Sequence, residues 1–187
     1  ELWRSDGTAN GTVLVKDIWT GSIGAIPRYL TNVNGTVFFS ANSGVNGYEL
    51  WKTDGTSNGT VLVKDLPTGN NGWYPPYLTN VNGTLFFRAN NGVAGYELWK
   101  SDGTANGTVL VRDIRTGSVG ANPHYLTNLN GTLYFSADDG AQGIELWKSD
   151  GTEAGTVPVS DFTGDSGDSN PSVVTVAGGS LFIAATT

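Results

Sequence analysis

The chain has no cysteine and no methionine, one histidine among 187 residues, and ten Lys and Arg against 17 Asp and Glu. Without cysteine, disulfides, thiol nucleophiles and Cys-ligated zinc are excluded together, and the redox compartment stays undecided. One histidine, His124, excludes a His-rich metal cluster and leaves any Ser-His-Asp triad dependent on a single loop residue. The net charge of -7 and pI near 4.4 argue against a nucleic-acid partner, whose phosphates require a basic footprint. No run of about 18 apolar residues could span a bilayer, and no charged segment leads into an apolar stretch as in a signal peptide, so membrane insertion is not expected. Phosphate-cradling and dinucleotide motifs are missing, and the carboxylates stand in no distinctive pair. We therefore expect no enzyme and no catalytic residues. The absence of Met and a start inside a motif at Glu1 lead us to expect a processed or excised piece of a longer protein.

What is present is repetition. The string Glu-Leu-Trp begins at residues 1, 49, 97 and 145, each 48 residues after the last, with no insertion or deletion. Residues 1-48 and 49-96 are identical at 34 of their 48 positions, so the copies serve as an internal alignment. A fixed period of this length points to solenoids, propellers or arrays. With 38% apolar residues, 11% aromatics and 27 glycines, the chain is folded and rich in turns. It reads as a single repeat domain over residues 1-187 whose last unit is atypical.

Alternation and β-formers mark four short strands per unit, over 27-33, 36-41, 48-52 and 60-65 in the first full set, and no stretch has a helical period. Asn34-Gly35, repeated at 82-83 and 130-131, suits the positive φ angles of a two-residue type I′ hairpin. Residues 54-59 (DGTSNG) predict a second, longer hairpin in which Asp and Asn side chains bond nearby amides. Four antiparallel strands and a long connection in 48 residues predict an all-β fold, a β-propeller with four blades' worth of sequence. A β-solenoid has parallel coils without such hairpins, and a sandwich needs no exact period. The chain starts in a third strand, stops after a second, and is five residues short of four units. Pro171 to Ala185 and Leu2 to Asp17 would thus form one closing blade, two strands from each end. A larger ring, built from two chains or a longer one, stays open.

The four strings ELWRSDGT, ELWKTDGT, ELWKSDGT and ELWKSDGT resemble the signature of the bacterial ELWxxDGT repeat family, and the resemblance covers all four units. It implies a large, repetitive, secreted or surface-associated protein, hence an extracellular or cell-surface location, and it implies no particular reaction. The fourth unit departs from the pattern, with Pro158, Ser160 and VVTVAGGS over 173-180, as terminal repeats do.

Leu50 and Trp51 lie on opposite faces of one strand, and a blade buries both faces, so Trp3, Trp51, Trp99 and Trp147 are expected to be structural. Glu1, Glu49, Glu97 and Glu145 recur beside them and read as hydrogen-bond partners or as ion-pair partners of Lys52, Lys100 and Lys148. Asp6, Asp54, Asp102 and Asp150 read as turn caps. Asp161, Asp165 and Asp168, in an acidic Gly-rich loop, are candidate calcium ligands, and no other cofactor is expected. Six Asn-Gly-Thr triplets, from Asn10 to Asn130, match the N-glycosylation pattern but coincide with the hairpins. Differences between units concentrate in the connection from fourth to first strand, on the face shared with the second-to-third-strand loops. Loops on a rigid scaffold carry function. Trp19, Arg28, Trp73, Tyr74 and His124 are accordingly the candidate ligand residues of a non-catalytic adhesion or binding module for a glycan or surface protein. The other reading is a structural repeat protein that self-assembles into a larger ring, filament or surface layer as a homo-oligomer.

Overall fold

Two turn types set the architecture. At Asn34 and Gly35 the backbone takes φ of 52° and 88°, and the Gly35 amide donates to Asn32 Oδ1 at 2.9 Å. The same left-handed pair recurs at Asn82-Gly83 and Asn130-Gly131, and Gly178-Gly179 supplies it in the last unit. Glycine there replaces Asn without loss of the turn, because it adopts positive φ freely.

The second turn is a side-chain net. Asp54 Oδ1 accepts from the Thr56 amide at 2.8 Å and from the Thr56 hydroxyl at 2.7 Å; the Thr56 oxygen in turn accepts from the Gly59 amide at 2.9 Å. A Cβ on Gly59 would stand 2.1 Å from the Asp54 carboxylate, so glycine is required at that corner. Asp6, Asp102 and Asp150 make the same bonds as Asp54, as expected of turn caps.

The computed structural model describes residues 1-45, 47-66, 76-160, 162 and 167-186. Among them there is no helix, and sixteen strands form five antiparallel sheets. β1 (Leu2–Arg4) and β2 (Val13–Lys16) make a two-stranded sheet. Three four-stranded meanders follow: β3 (Arg28–Val33) to β6 (Val61–Lys64) through β4 (Thr36–Asn42) and β5 (Tyr48–Thr53); β7 (Thr79–Val81) to β10 (Val109–Arg112) through β8 (Thr84–Asn90) and β9 (Tyr96–Ser101); and β11 (His124–Leu129) to β14 (Val157–Ser160) through β12 (Thr132–Asp138) and β13 (Ile144–Ser149). β15 (Ser172–Ala177) and β16 (Ser180–Ala184) form the last pair. In the first full set the strand limits match the sequence expectation to within two residues, because both hairpins are specified locally; in the second, β7 starts later, at Thr79. The closing sheet expected from the two chain ends is not formed: β1-β2 and β15-β16 are separate sheets.

The core lies between sheets. Leu50 joins Phe38, Phe87 and Trp99, whereas Trp51, one residue on, joins Leu2, Val15 and Phe39. Successive side chains thus bury against opposite neighbours, and a fully buried Phe or Leu contributes about 1.5–3 kcal/mol relative to an exposed one. Polar ties follow the same spacing. Lys52 and Lys100 donate to the Gly103 and Gly151 carbonyls of the next turn, each at 2.8 Å. Lys16, Lys64 and Arg112 donate to the carbonyls of Thr60, Thr108 and Thr156. Near the first strands, Asn80 and Asn128 amides donate to Asn32 and Asn80 carbonyls at 3.0 Å. Lys52 and Lys100 therefore bind carbonyls, where an ion pair with the repeated Glu was the other expectation.

One of the four motif tryptophans differs. Trp51, Trp99 and Trp147 are 8%, 6% and 3% exposed, each opposite a buried Phe in the neighbouring strand, but Trp3 is 60% exposed. Strand β1 pairs with β2 alone, so no such Phe faces Trp3.

Candidate functional site

All Asn-Gly and Asp-Gly-Thr hairpins turn at one end of the sheets, and the connections between units emerge at the other. What holds those connections is the repeated Glu. Glu97 on β9 accepts from the amides of Ile114 (3.0 Å), Arg115 (3.2 Å) and Ala121 (2.8 Å). Glu1 serves Ile18, Trp19 and Ala25 at the same offsets of 17, 18 and 24 residues. Glu49 serves Leu66, and Glu145 takes the amide and hydroxyl of Ser169. Position 67 is a proline, which has no N–H to give Glu49. Each Glu is thus a staple between its strand and the following crossover, the hydrogen-bonding role expected of it.

Burial raises two of these carboxyls, those of Glu49 and Glu97. It pushes Glu49 up to about 8 and Glu97 up to about 7, against the amide bonds that pull the other way; Asp65 and Asp113 add smaller upward pushes. An acid whose folded pKa is raised keeps its proton where the unfolded chain has lost it. Stability from these groups is therefore full below about pH 4.5 and falls as pH rises to about 8. In urea unfolding at pH 5 and pH 8, Glu97→Gln should show a smaller loss of stability toward pH 8 than the parent; an equal loss would refute the assignment.

The first strands begin with strain. Tyr29, Tyr77 and Tyr125 are left-handed, with φ of 56°, 60° and 56°, as are Ile26 and Asn122 three residues before the first and last of them, and Asn170 ahead of β15. Each costs roughly 1–3 kcal/mol for a bulky residue and persists only where its surroundings enforce it. The result is a register break after Arg28 and after His124, which splays Tyr29 and Tyr125 outward, 41% and 46% exposed.

Two tyrosines, Tyr77 and Tyr96, flank Arg88 of β8. Its guanidinium lies 5.6 Å from the Tyr77 ring and 5.1 Å from the Tyr96 ring, and its Nη1 is 2.8 Å from His124 Nε2. Arginine can only donate, so Nε2 accepts and the imidazole is neutral; its Nδ1–H donates to the Asn122 carbonyl at 2.5 Å. Burial and Arg88 hold His124 below its usual range, against the Asn122 bond. The His124 ring also meets Tyr77 edge-on at 5.5 Å and Tyr125 at 6.2 Å. Beside it a cavity of about 230 Å3 is lined by His124, Tyr125, Ser136, Ile144, Asn170 and Pro171. Ser136 and Ile144 stand in their unit where Arg88 and Tyr96 stand in theirs. Smaller side chains thus line the cavity than stand at the matching places of the preceding unit.

The remaining candidates are distributed as follows. Trp19 is half-buried, packed over Gly44 and against the Phe39, Ala41 and Trp51 cluster, which makes it part of the crossover packing. Its counterpart Arg115 pairs with Asp138. Arg28 is exposed at the start of β3, in the position that His124 holds in β11. Trp73 and Tyr74 lie outside the described residues, as do Asp161 and Asp165. Asp168 Oδ1 accepts from the Ile144 amide at 2.9 Å, clipping the crossover to β13. Among the described residues no group of three His, Asp or Glu could hold a metal ion. Arg88 was legible as a difference from Ser40, Ser136 and Ala184, but it belongs to a strand and not to one of the variable connections. Tyr29, Tyr77 and Tyr125 repeat, and repetition reads as scaffold.

No family model, no curated protein and no solved structure matches the chain.

Proposed function

We propose that the chain is a non-catalytic binding module of an extracellular or cell-surface protein, its sheets the blades of a propeller-type array. It recognises a glycan or a surface protein through the face that carries the crossovers. The observation that supports this best is the gathering of Tyr29, Tyr77, Tyr96 and His124 around the Arg88 cation at that face, with Tyr125 beside His124. Aromatic rings with polar handles serve recognition, since they offer large rigid contact area with a hydrogen-bonding tip. Strain in the supporting backbone is stored where function uses it. The single histidine offers little to acid-base catalysis, since both its nitrogens are already engaged.

The test is a glycan array and surface-protein binding assays with the parent and with Trp73→Ala/Tyr74→Ala. Selective retention by the parent, reduced in the variant, is expected; a parent that retains no glycan and no surface protein sinks the reading. A structural array is the second reading, favoured by the sameness of the Lys-to-carbonyl ties from sheet to sheet. Light scattering separates the two, since long polymers would support the array and a compact particle the module.

A further inference from the structure

Arg88 is the one basic residue among Ser40, Ser136 and Ala184 at its place in the unit. It is 8% exposed. Among the described residues no carboxylate touches it: the groups that face it are Tyr29 of β3, Tyr77 just before β7, Tyr96 of β9 and the neutral His124 of β11. Its Nε is buried without a hydrogen-bond partner among the described residues. Burying an ion without a counter-ion is costly, and cation–π contacts offset only part of that. A chain of net charge -7 that keeps one such cation at its variable face has a place for an anion.

We propose that Arg88 and the adjoining cavity bind the carboxylate-bearing ring of an acidic polysaccharide, a uronate. This rests on the binding-module reading and names its ligand class. The carboxylate takes the place of the His124 imidazole as acceptor from the Arg88 guanidinium, a charge-assisted and bidentate bond roughly twice as strong as the neutral one it replaces. The sugar ring occupies the cavity against Tyr125 and Pro171, with the Ser136 hydroxyl and Asn170 amide beside its own hydroxyls. At about 230 Å3 the space suits one ring rather than a drug-sized ligand, which takes about 300–1,000 Å3.

The experiment is isothermal titration of the whole chain with a short oligogalacturonate, its carboxyl-reduced neutral counterpart and inorganic sulfate. Two variants accompany the parent. Arg88→Ser installs the residue that two sibling units carry, and Ser136→Arg fills the cavity with the side chain the neighbouring unit carries. The oligogalacturonate should bind, the neutral sugar and sulfate at least about ten-fold more weakly, and each folded variant should lose about ten-fold or more in affinity. Equal binding of the neutral sugar, or of sulfate, overturns the proposal, as does parent-like affinity in either folded variant. Should Arg88→Ser fail to fold, Ser136→Arg decides alone. Retention of neutral glycans or a surface protein without uronate binding would overturn this inference and leave the binding module standing. Binding of nothing would end both.

Discussion

Glu97→Ala is expected to lower the free energy of unfolding by about 3–5 kcal/mol, as measured by denaturant unfolding. Three backbone amides, of Ile114, Arg115 and Ala121, converge on that carboxylate. Ile114 and Ala121 are buried, so alanine would strand their N–H groups away from water. Leaving a buried donor unsatisfied costs about 1–3 kcal/mol each, more than the bond itself contributes. Glu97→Gln keeps one acceptor oxygen of similar shape and should lose less. Hydrogen exchange gives a local check: the Ile114 and Ala121 amides should lose protection before the β9 ladder does. A loss below about 1 kcal/mol in Glu97→Ala would mean that the crossover is held by packing and that the staple is incidental.

Trp99→Ala is expected to cost about 3–5 kcal/mol, as large-to-small changes in a packed core do, whereas Trp3→Ala should cost no more than about 1 kcal/mol. The two residues hold the same place in the same motif. Trp99 lies opposite Phe87 and closes a cluster with Phe38, Leu50 and Val63, so its removal leaves a cavity between two sheets. Trp3 projects from a two-stranded sheet and is mostly solvated. Equal costs for the two would contradict the packing, and they would show instead that β1 is covered in solution by a strand absent from its sheet.

Much of the fold was legible in the sequence because its determinants are local. An Asn-Gly pair needs only positive φ at two residues, and an Asp-Gly-Thr turn closes on its own side chains. The strand limits followed from those turns, and the alternation of Leu50 and Trp51 gave both buried faces. Less of the candidate site could be read. His124 was singled out because it varies, but its role depends on Arg88, which is 36 residues away in another sheet. Trp19 varied for a different reason: the connection must pack over Gly44, and several side chains can fill that space. Variation alone does not separate a ligand contact from an interchangeable filler.

The amino-acid order by itself determined the period, the hairpins, the antiparallel meander and the alternation that turns Leu50 and Trp51 to opposite buried faces. Those outcomes depend on dihedral preferences and alternation, which act over a few residues. Only the tertiary structure decided which crossover amides meet which repeated Glu, that Lys52 and Lys100 bind carbonyls, that Trp3 is uncovered, and that side chains from three sheets meet at Arg88. Each of these depends on which sheet lies against which, and identical motifs meet different neighbours at different places along the array.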